Sequence, residues 1–153
     1  MKNIFFSIVL TSYNSEKYLK NTLKSISNQR FKKFEVILVD DGSNDDTLKI
    51  AKDYRNLKNF KFNIIKLKHS GSPARSRNVG INKSKGKYIC FLDADDMFLK
   101  NKLFYLKKII KKKNLDVAYH NVILKHKKQT LFCKKIDMNS SLKDLLLNGN
   151  KIV

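Results

Sequence analysis

Four times between residues 4 and 112, an apolar run of strand length gives way to a polar break and then to apolar residues at helical spacing. This alternation constrains the fold more than any other feature. Ile4 to Thr11 is the first run, and Ser12-Tyr13-Asn14-Ser15 breaks it with turn and capping residues. Tyr18, Leu19, Thr22, Leu23 and Ile26 then recur on one helical face, with Lys17, Lys20 and Lys24 on the other. Phe34 to Val39 reads as a second strand, Asp40-Asp41-Gly42-Ser43 as a turn, and Leu48, Ala51 and Tyr54 mark a second helix. Phe62 to Leu67 is a third strand. Ser72 before Pro73 is an N-cap and first-turn pair, which predicts a helix from Pro73 to Asn82 with Gly86 in the loop beyond. Lys87 to Leu92 is a fourth strand, and Leu99 to Lys112 a helix with Leu103, Leu106 and Ile110 inward.

Strands alternating with helices, and apolar on both faces, predict an α/β fold with a mostly parallel sheet covered on both sides. Beyond Asp116 the pattern weakens. Val117 to Leu124 reads as a strand, Thr130 to Cys133 as a short one and Ser141 to Leu147 as a short helix. At 153 residues one domain is expected, and no linker or repeat divides the chain.

The formal charge of +20 calls for an anionic partner: nucleic acid, an anionic membrane surface or a phosphate-bearing substrate. Only Arg30, Arg55, Arg75 and Arg77 carry the guanidinium fork suited to bidentate recognition, and a Lys excess also follows from an A/T-rich coding bias. Cys90 and Cys133 lie far apart with no metal-site spacing, which predicts reduced thiols in a cytosolic protein. The apolar run after Met1 is far shorter than the about 20 residues of a membrane span and lacks a cleavage site, so neither a span nor a signal peptide is expected.

Ligands of open parallel sheets collect at the carboxyl ends of the strands. Three polar clusters follow predicted strands there: Thr11-Ser12-Tyr13-Asn14, Asp40-Asp41-Gly42-Ser43 and Asp93-Ala94-Asp95-Asp96. Seven of the 13 acids fall within Asp40–Asp46 and Asp93–Asp96, a crowding that costs repulsion unless a cation or donor compensates it. A hard divalent ion suits, since Mg²⁺ or Mn²⁺ takes one or two carboxylates and completes its shell with water and phosphate oxygens. Asp-x-Asp is a weak pattern by itself, and Asp40, Asp41 and Asp96 could equally cap the helices that follow them.

Ser7-Ile8-Val9-Leu10-Thr11-Ser12-Tyr13-Asn14, Glu35-Val36-Ile37-Leu38-Val39-Asp40-Asp41-Gly42-Ser43, Ala74-Arg75-Ser76-Arg77-Asn78-Val79-Gly80 and Phe91-Leu92-Asp93-Ala94-Asp95-Asp96 together resemble the family 2 glycosyltransferases of the GT-A fold. The resemblance implies that the Thr11 and Tyr13 segment lines a nucleobase pocket. It implies that Asp41 accepts from the base N3–H of a uridine-type nucleotide, and that Arg77 lies on the nucleotide and diphosphate side. Asp93 is implied in ribose and metal-shell contacts and Asp95 in direct ligation of Mn²⁺ or Mg²⁺. Arg75 is read as a surface residue or a partner for a neighbouring acid.

The implied reaction is transfer of a sugar from a UDP-sugar to an acceptor hydroxyl, with inversion, in surface polysaccharide or lipid-linked glycan synthesis. The family's catalytic base lies well after the metal motif. Asp116, Asp137 and Asp144 are isolated, so the base is expected beyond Val153 and the chain is read as a donor-binding domain cut before its acceptor segment. Location is expected in the cytoplasm, peripheral at the membrane face. Other readings are a non-catalytic nucleotide-binding module, a basic nucleic-acid-binding module and a nucleotidyltransferase, the last lacking a Gly-rich basic loop after the first strand. His69, His120 and His126 have no motif around them and are expected to be structural.

Overall fold

The computed structural model of the chain describes residues 4–57, 60–116, 123–126 and 129–132. The chain forms two compact units, Met1–Ile109 and Ile110–Val153. The first carries β1 (Phe6–Ser12), α1 (Glu16–Ser27), β2 (Phe34–Asp40), α2 (Thr47–Asn56), β3 (Lys61–Lys66), α3 (Pro73–Lys83), β4 (Tyr88–Asp93) and the start of α4 (Lys102–Lys113). In the second, β5 (Ile123–His126) pairs antiparallel with β6 (Gln129–Phe132). Those two strands overlap the ends of the stretches expected at Val117–Leu124 and Thr130–Cys133. The helix expected at Ser141–Leu147 lies outside the described residues, as do His120, Cys133, Asp137 and Asp144.

The four strands of the first unit are all parallel, in the order β3-β2-β1-β4. The α/β expectation holds, and its physical basis is plainest in the middle. Every residue of β2 and six of seven in β1 are buried, so the two central strands have no polar face to offer water. The edges differ from the expectation of burial on both faces. β4 alternates, leaving Ile89 and Phe91 exposed, and β3 buries only Phe62 fully.

Helix α1 packs Leu19, Thr22, Leu23 and Ile26 inward, while Tyr18, expected with them, is exposed. Tyr18 sits at the margin of the apolar stripe, and its ring lies 5.4 Å from the Lys17 ammonium. Helix α3 starts where predicted: the Ser72 hydroxyl accepts from the Arg75 amide, and Pro73 takes the first turn. Gly80 lets α3 lie close on β1, since a Cβ there would come 2.3 Å from a Val9 methyl.

Helix α4 begins at Lys102 rather than Leu99 because a side chain just beyond the end of α1 holds the preceding segment. Gln29, fully buried, donates through Nε2 to the Leu99 carbonyl and accepts at Oε1 from the Leu103 amide. Nearer the helix start, Ser25 Oγ accepts from the Phe98 amide, and Thr22 Oγ1 donates to the Ala94 carbonyl at 2.7 Å. Thr22 and Ser25 on α1 and Gln29 just past its end thus fasten residues 94–103.

Candidate functional site at the carboxyl ends of the strands

In the order β3-β2-β1-β4 the chain progresses outward from β1 to β3 on one side and returns to place β4 on the other. Such a reversal opens a crevice beyond the strand ends, here between β1 and β4. Register brings Thr11 opposite Asp93 and Ser12 opposite Asp40 at that edge. Across the crevice Thr11 Oγ1 donates to Asp93 Oδ1 at 2.8 Å. From α3, Arg77 reaches the same carboxylate, its Nη2 lying 2.9 and 3.1 Å from the two oxygens. Arg75, two residues earlier on α3, instead donates to the Lys68 carbonyl.

The two acidic stretches have different fates. Asp40 is buried at the end of β2 and accepts from the Ser12 hydroxyl, the Ser43 amide and the Ser43 hydroxyl, so it ties two loops together. Asp45 accepts from the Glu16 amide at the start of α1, and Glu16 in turn accepts from the Asp46 amide at the start of α2. These are reciprocal helix-terminus contacts, which satisfy amides that have no partner within their own helices. Asp45 is partly desolvated, but its hydrogen bonds to the Thr47 and Glu16 segments outweigh that and hold its carboxyl below the usual range. The first acidic stretch is therefore largely compensated by the protein itself.

Asp41 is held by a different loop. Its carboxylate accepts from the Ser70 and Gly71 amides and the Ser70 hydroxyl. Burial favours its neutral form, yet these bonds and the nearby His69 hold its carboxyl below the ordinary carboxylate range. His69 Nδ1 lies 3.2 Å from Asp41 Oδ2, and the His69 ring stacks on Tyr13 with centroids 4.1 Å apart. Gly42 makes this approach possible, with φ of +78° and a would-be Cβ only 2.7 Å from the His69 amide nitrogen.

In the second stretch Thr11 and Arg77 hold Asp93, but Asp95 is left uncompensated. Asp95 and Asp96 are exposed, and among the described residues Asp95 has no hydrogen bond or ion pair. Partial desolvation by neighbouring groups first, then the charges of Asp95 and Asp93, push the Asp96 carboxyl up despite the attraction of Lys102. The turn from Asp93 to Asp96, closed by the Asp96 amide on the Asp93 carbonyl, thus gathers three carboxylates, of which only Asp93 is paired with Arg77 of α3. Among the described residues no three His, Cys, Asp or Glu side chains converge as a ready-made metal cage. A hard divalent ion requires none, because one or two carboxylates with water and phosphate oxygens make its usual shell, so this donor set fits Mg²⁺ or Mn²⁺.

The description of glycosyl transferase family 2 matches residues 7–149 of the chain. The chain belongs to glycosyl transferase family 2. Among its relatives, the poly(ribitol-phosphate) beta-N-acetylglucosaminyltransferase TarS of Staphylococcus aureus is 42% identical over 100 residues, covering 64% of this chain and 17% of TarS. The minor teichoic acid biosynthesis protein GgaA of Bacillus subtilis is 42% identical over 103 residues, covering 64% of this chain and 23% of GgaA. The family 2 chain thus spans about a sixth to a quarter of the length of these two relatives. The crystal structure of S. aureus TarS residues 1–349 in complex with UDP superposes with a TM-score of 0.69 at 37% identity, over 72% of this chain and 33% of that one. A mannosyltransferase of Pyrobaculum calidifontis shares the fold, at 19% identity and a TM-score of 0.67, over 71% of this chain and 32% of that one. The GT-A fold expected of the family is the fold observed.

Of the six residues singled out in the sequence, Thr11, Tyr13, Asp41, Asp93 and Asp95 lie on loops or strand ends at this one edge, and Arg77 reaches it from α3. Thr11, Arg77 and Asp93 form one hydrogen-bonded group, and Tyr13 and Asp41 are joined through His69. His69 and Thr22 are the residues at the site that sequence reasoning passes over. Neither sits in a motif: His69 is one of three unpatterned histidines, and Thr22 reads simply as part of an apolar helix face. Cys90, on β4, is no nucleophile, because burial pushes its thiol up to about 11.

Proposed function

We propose that this chain is the donor-binding part of an enzyme that transfers a sugar from a UDP-sugar to an acceptor hydroxyl in surface polysaccharide or lipid-linked glycan synthesis. The observation that carries the reading is the turn Asp93–Asp96, where Asp95, left without a partner among the described residues, stands beside the Arg77-bound Asp93 at the reversal point of the sheet. Family membership and the likeness to TarS, whose structures include complexes with UDP and UDP-GlcNAc, support a nucleotide sugar as partner.

Tyr13 and Asp41 would receive the base, Asp41 as an acceptor for a ring N–H. Arg77 would face the diphosphate while steadying Asp93. Asp95, with Asp93, would hold Mn²⁺ or Mg²⁺, which when bound neutralises charge developing on a departing diphosphate. Thr11 orients the Asp93 carboxylate by donating to Oδ1, so the side chain needs no rearrangement as ligand arrives. Transfer with inversion is proposed for the whole protein. We place the protein in the cytoplasm at the membrane face, a reading supported by the charge of +20 and its Lys excess.

Calorimetric titration of UDP with and without Mn²⁺ tests the donor site. Metal-dependent binding is expected, and Asp95→Ala should abolish the dependence. Binding indifferent to Mn²⁺, or unchanged in Asp95→Ala, would refute it.

A further inference from the structure

The loop between β3 and α3 sets His69 where the two proposed base contacts meet. Its imidazole lies 21° from parallel with the Tyr13 ring at a centroid distance of 4.1 Å. Its Nδ1 is 2.9 Å from the Asp41 carbonyl oxygen and 3.2 Å from Asp41 Oδ2. Both of those atoms accept and neither donates once the carboxylate is ionised, so Nδ1 carries the proton. His69 is therefore a flat heterocycle that presents one π-face to Tyr13 and a ring N–H to Asp41.

A uracil ring offers these same two features. The 4.1 Å spacing is that of a single stacked layer, so no second ring enters between Tyr13 and His69. The backbone of the loop is pinned: Ser70 and Gly71 donate to the Asp41 carboxylate, and the His69 amide crowds Gly42. The His69 side chain is not pinned in this way. It is 48% exposed, so it can rotate into water without opening the core.

We propose that the His69 imidazole is an internal stand-in for the donor's nucleobase, occupying the Tyr13–Asp41 position and leaving it when a uridine nucleotide binds. The inference rests on the base-site reading above and deepens it. Displacing the ring breaks one aromatic stack and one hydrogen bond, which together are worth roughly tenfold in an equilibrium constant. His69 thus lowers the affinity of a site whose other contacts are already in place.

The test is calorimetry on the 153-residue chain with UDP in the presence of Mn²⁺, comparing the unsubstituted protein, His69→Ala and His69→Phe, each first shown to be folded by its thermal transition. His69→Ala should bind UDP about tenfold more tightly. His69→Phe keeps the stack and loses the N–H, so it should fall between the other two. Inorganic pyrophosphate with Mn²⁺, which has no base, should bind all three alike. Equal or weaker UDP binding in His69→Ala, or in His69→Phe should the alanine variant not fold, overturns the stand-in role while leaving the base site intact. UDP binding to none of the three overturns the base-site reading and this inference with it.

Discussion

Glu35 carries a full charge in the centre of the sheet, and replacing it with Gln tests whether the reasoning about this core is right. Glu35 is fully buried on β2. Its Oε1 accepts from Ser7 Oγ at 2.8 Å and from the Lys85 amide at 2.7 Å, while Oε2 lies 2.9 Å from the Lys61 ammonium, its register partner on β3. Ser7 Oγ accepts in turn from the Gly86 amide, so the carboxylate anchors the connection between α3 and β4. Gln keeps the shape and an acceptor for Ser7 and Lys85, but turns two charge-assisted bonds into neutral ones. At about 1 kcal/mol lost per bond, the change costs about 2 kcal/mol. The Lys61 contact adds little, because its half-exposed ammonium can turn to water.

Protonation supplies the second arm of that prediction. Burial favours the neutral acid, yet the bonds from Lys61, Ser7 and Lys85 outweigh it and hold the Glu35 carboxyl below its ordinary value of 4.5. A depressed folded-state value means that the charged form stabilises the fold fully above the unfolded value, and that this contribution fades as pH falls through the folded one. Urea unfolding of both proteins should therefore show a gap of about 2 kcal/mol at pH 7 that narrows progressively below pH 4.5. Asp41 also has a depressed value, but it is common to both proteins and cancels. A gap that persists unchanged into acid, or none at neutral pH, refutes the account.

Two further outcomes follow from other parts of the molecule. Thr22→Val removes the donor from the buried Ala94 carbonyl and should cost about 1–3 kcal/mol, with faster amide hydrogen exchange at residues 94–98 than in β1 or β2 and recovery in Thr22→Ser; unchanged stability and exchange would show that α1 does not hold the Asp93–Asp95 segment. The proposed membrane location predicts co-sedimentation with anionic vesicles that is lost in high salt, and equal recovery on neutral vesicles would count against it.

Local sequence was sufficient for the order of strands and helices through α4 and for bringing the candidate residues to one edge of the sheet. Apolar runs two strands deep, helical spacing on α1 and α4, and the Ser72–Pro73 start of α3 are short-range patterns that act before any tertiary contact forms. The order of four motifs pointed to the family, and the alternation of strand and helix placed their polar ends on one edge. What tertiary structure decided was the condition of each side chain there. Asp40, Asp41, Asp93 and Asp95 are the same residue type in similar turns. Asp40 is satisfied by Ser12 and Ser43, Asp41 by the Ser70–Gly71 loop and Asp93 by Thr11 and Arg77, while Asp95 is left without such partners. The stacking of His69 on Tyr13 and the grip of Thr22 on Ala94 join residues 56 and 72 positions apart. No periodicity encodes such pairs, because they depend on which strands become neighbours, and that is settled only when the whole sheet assembles.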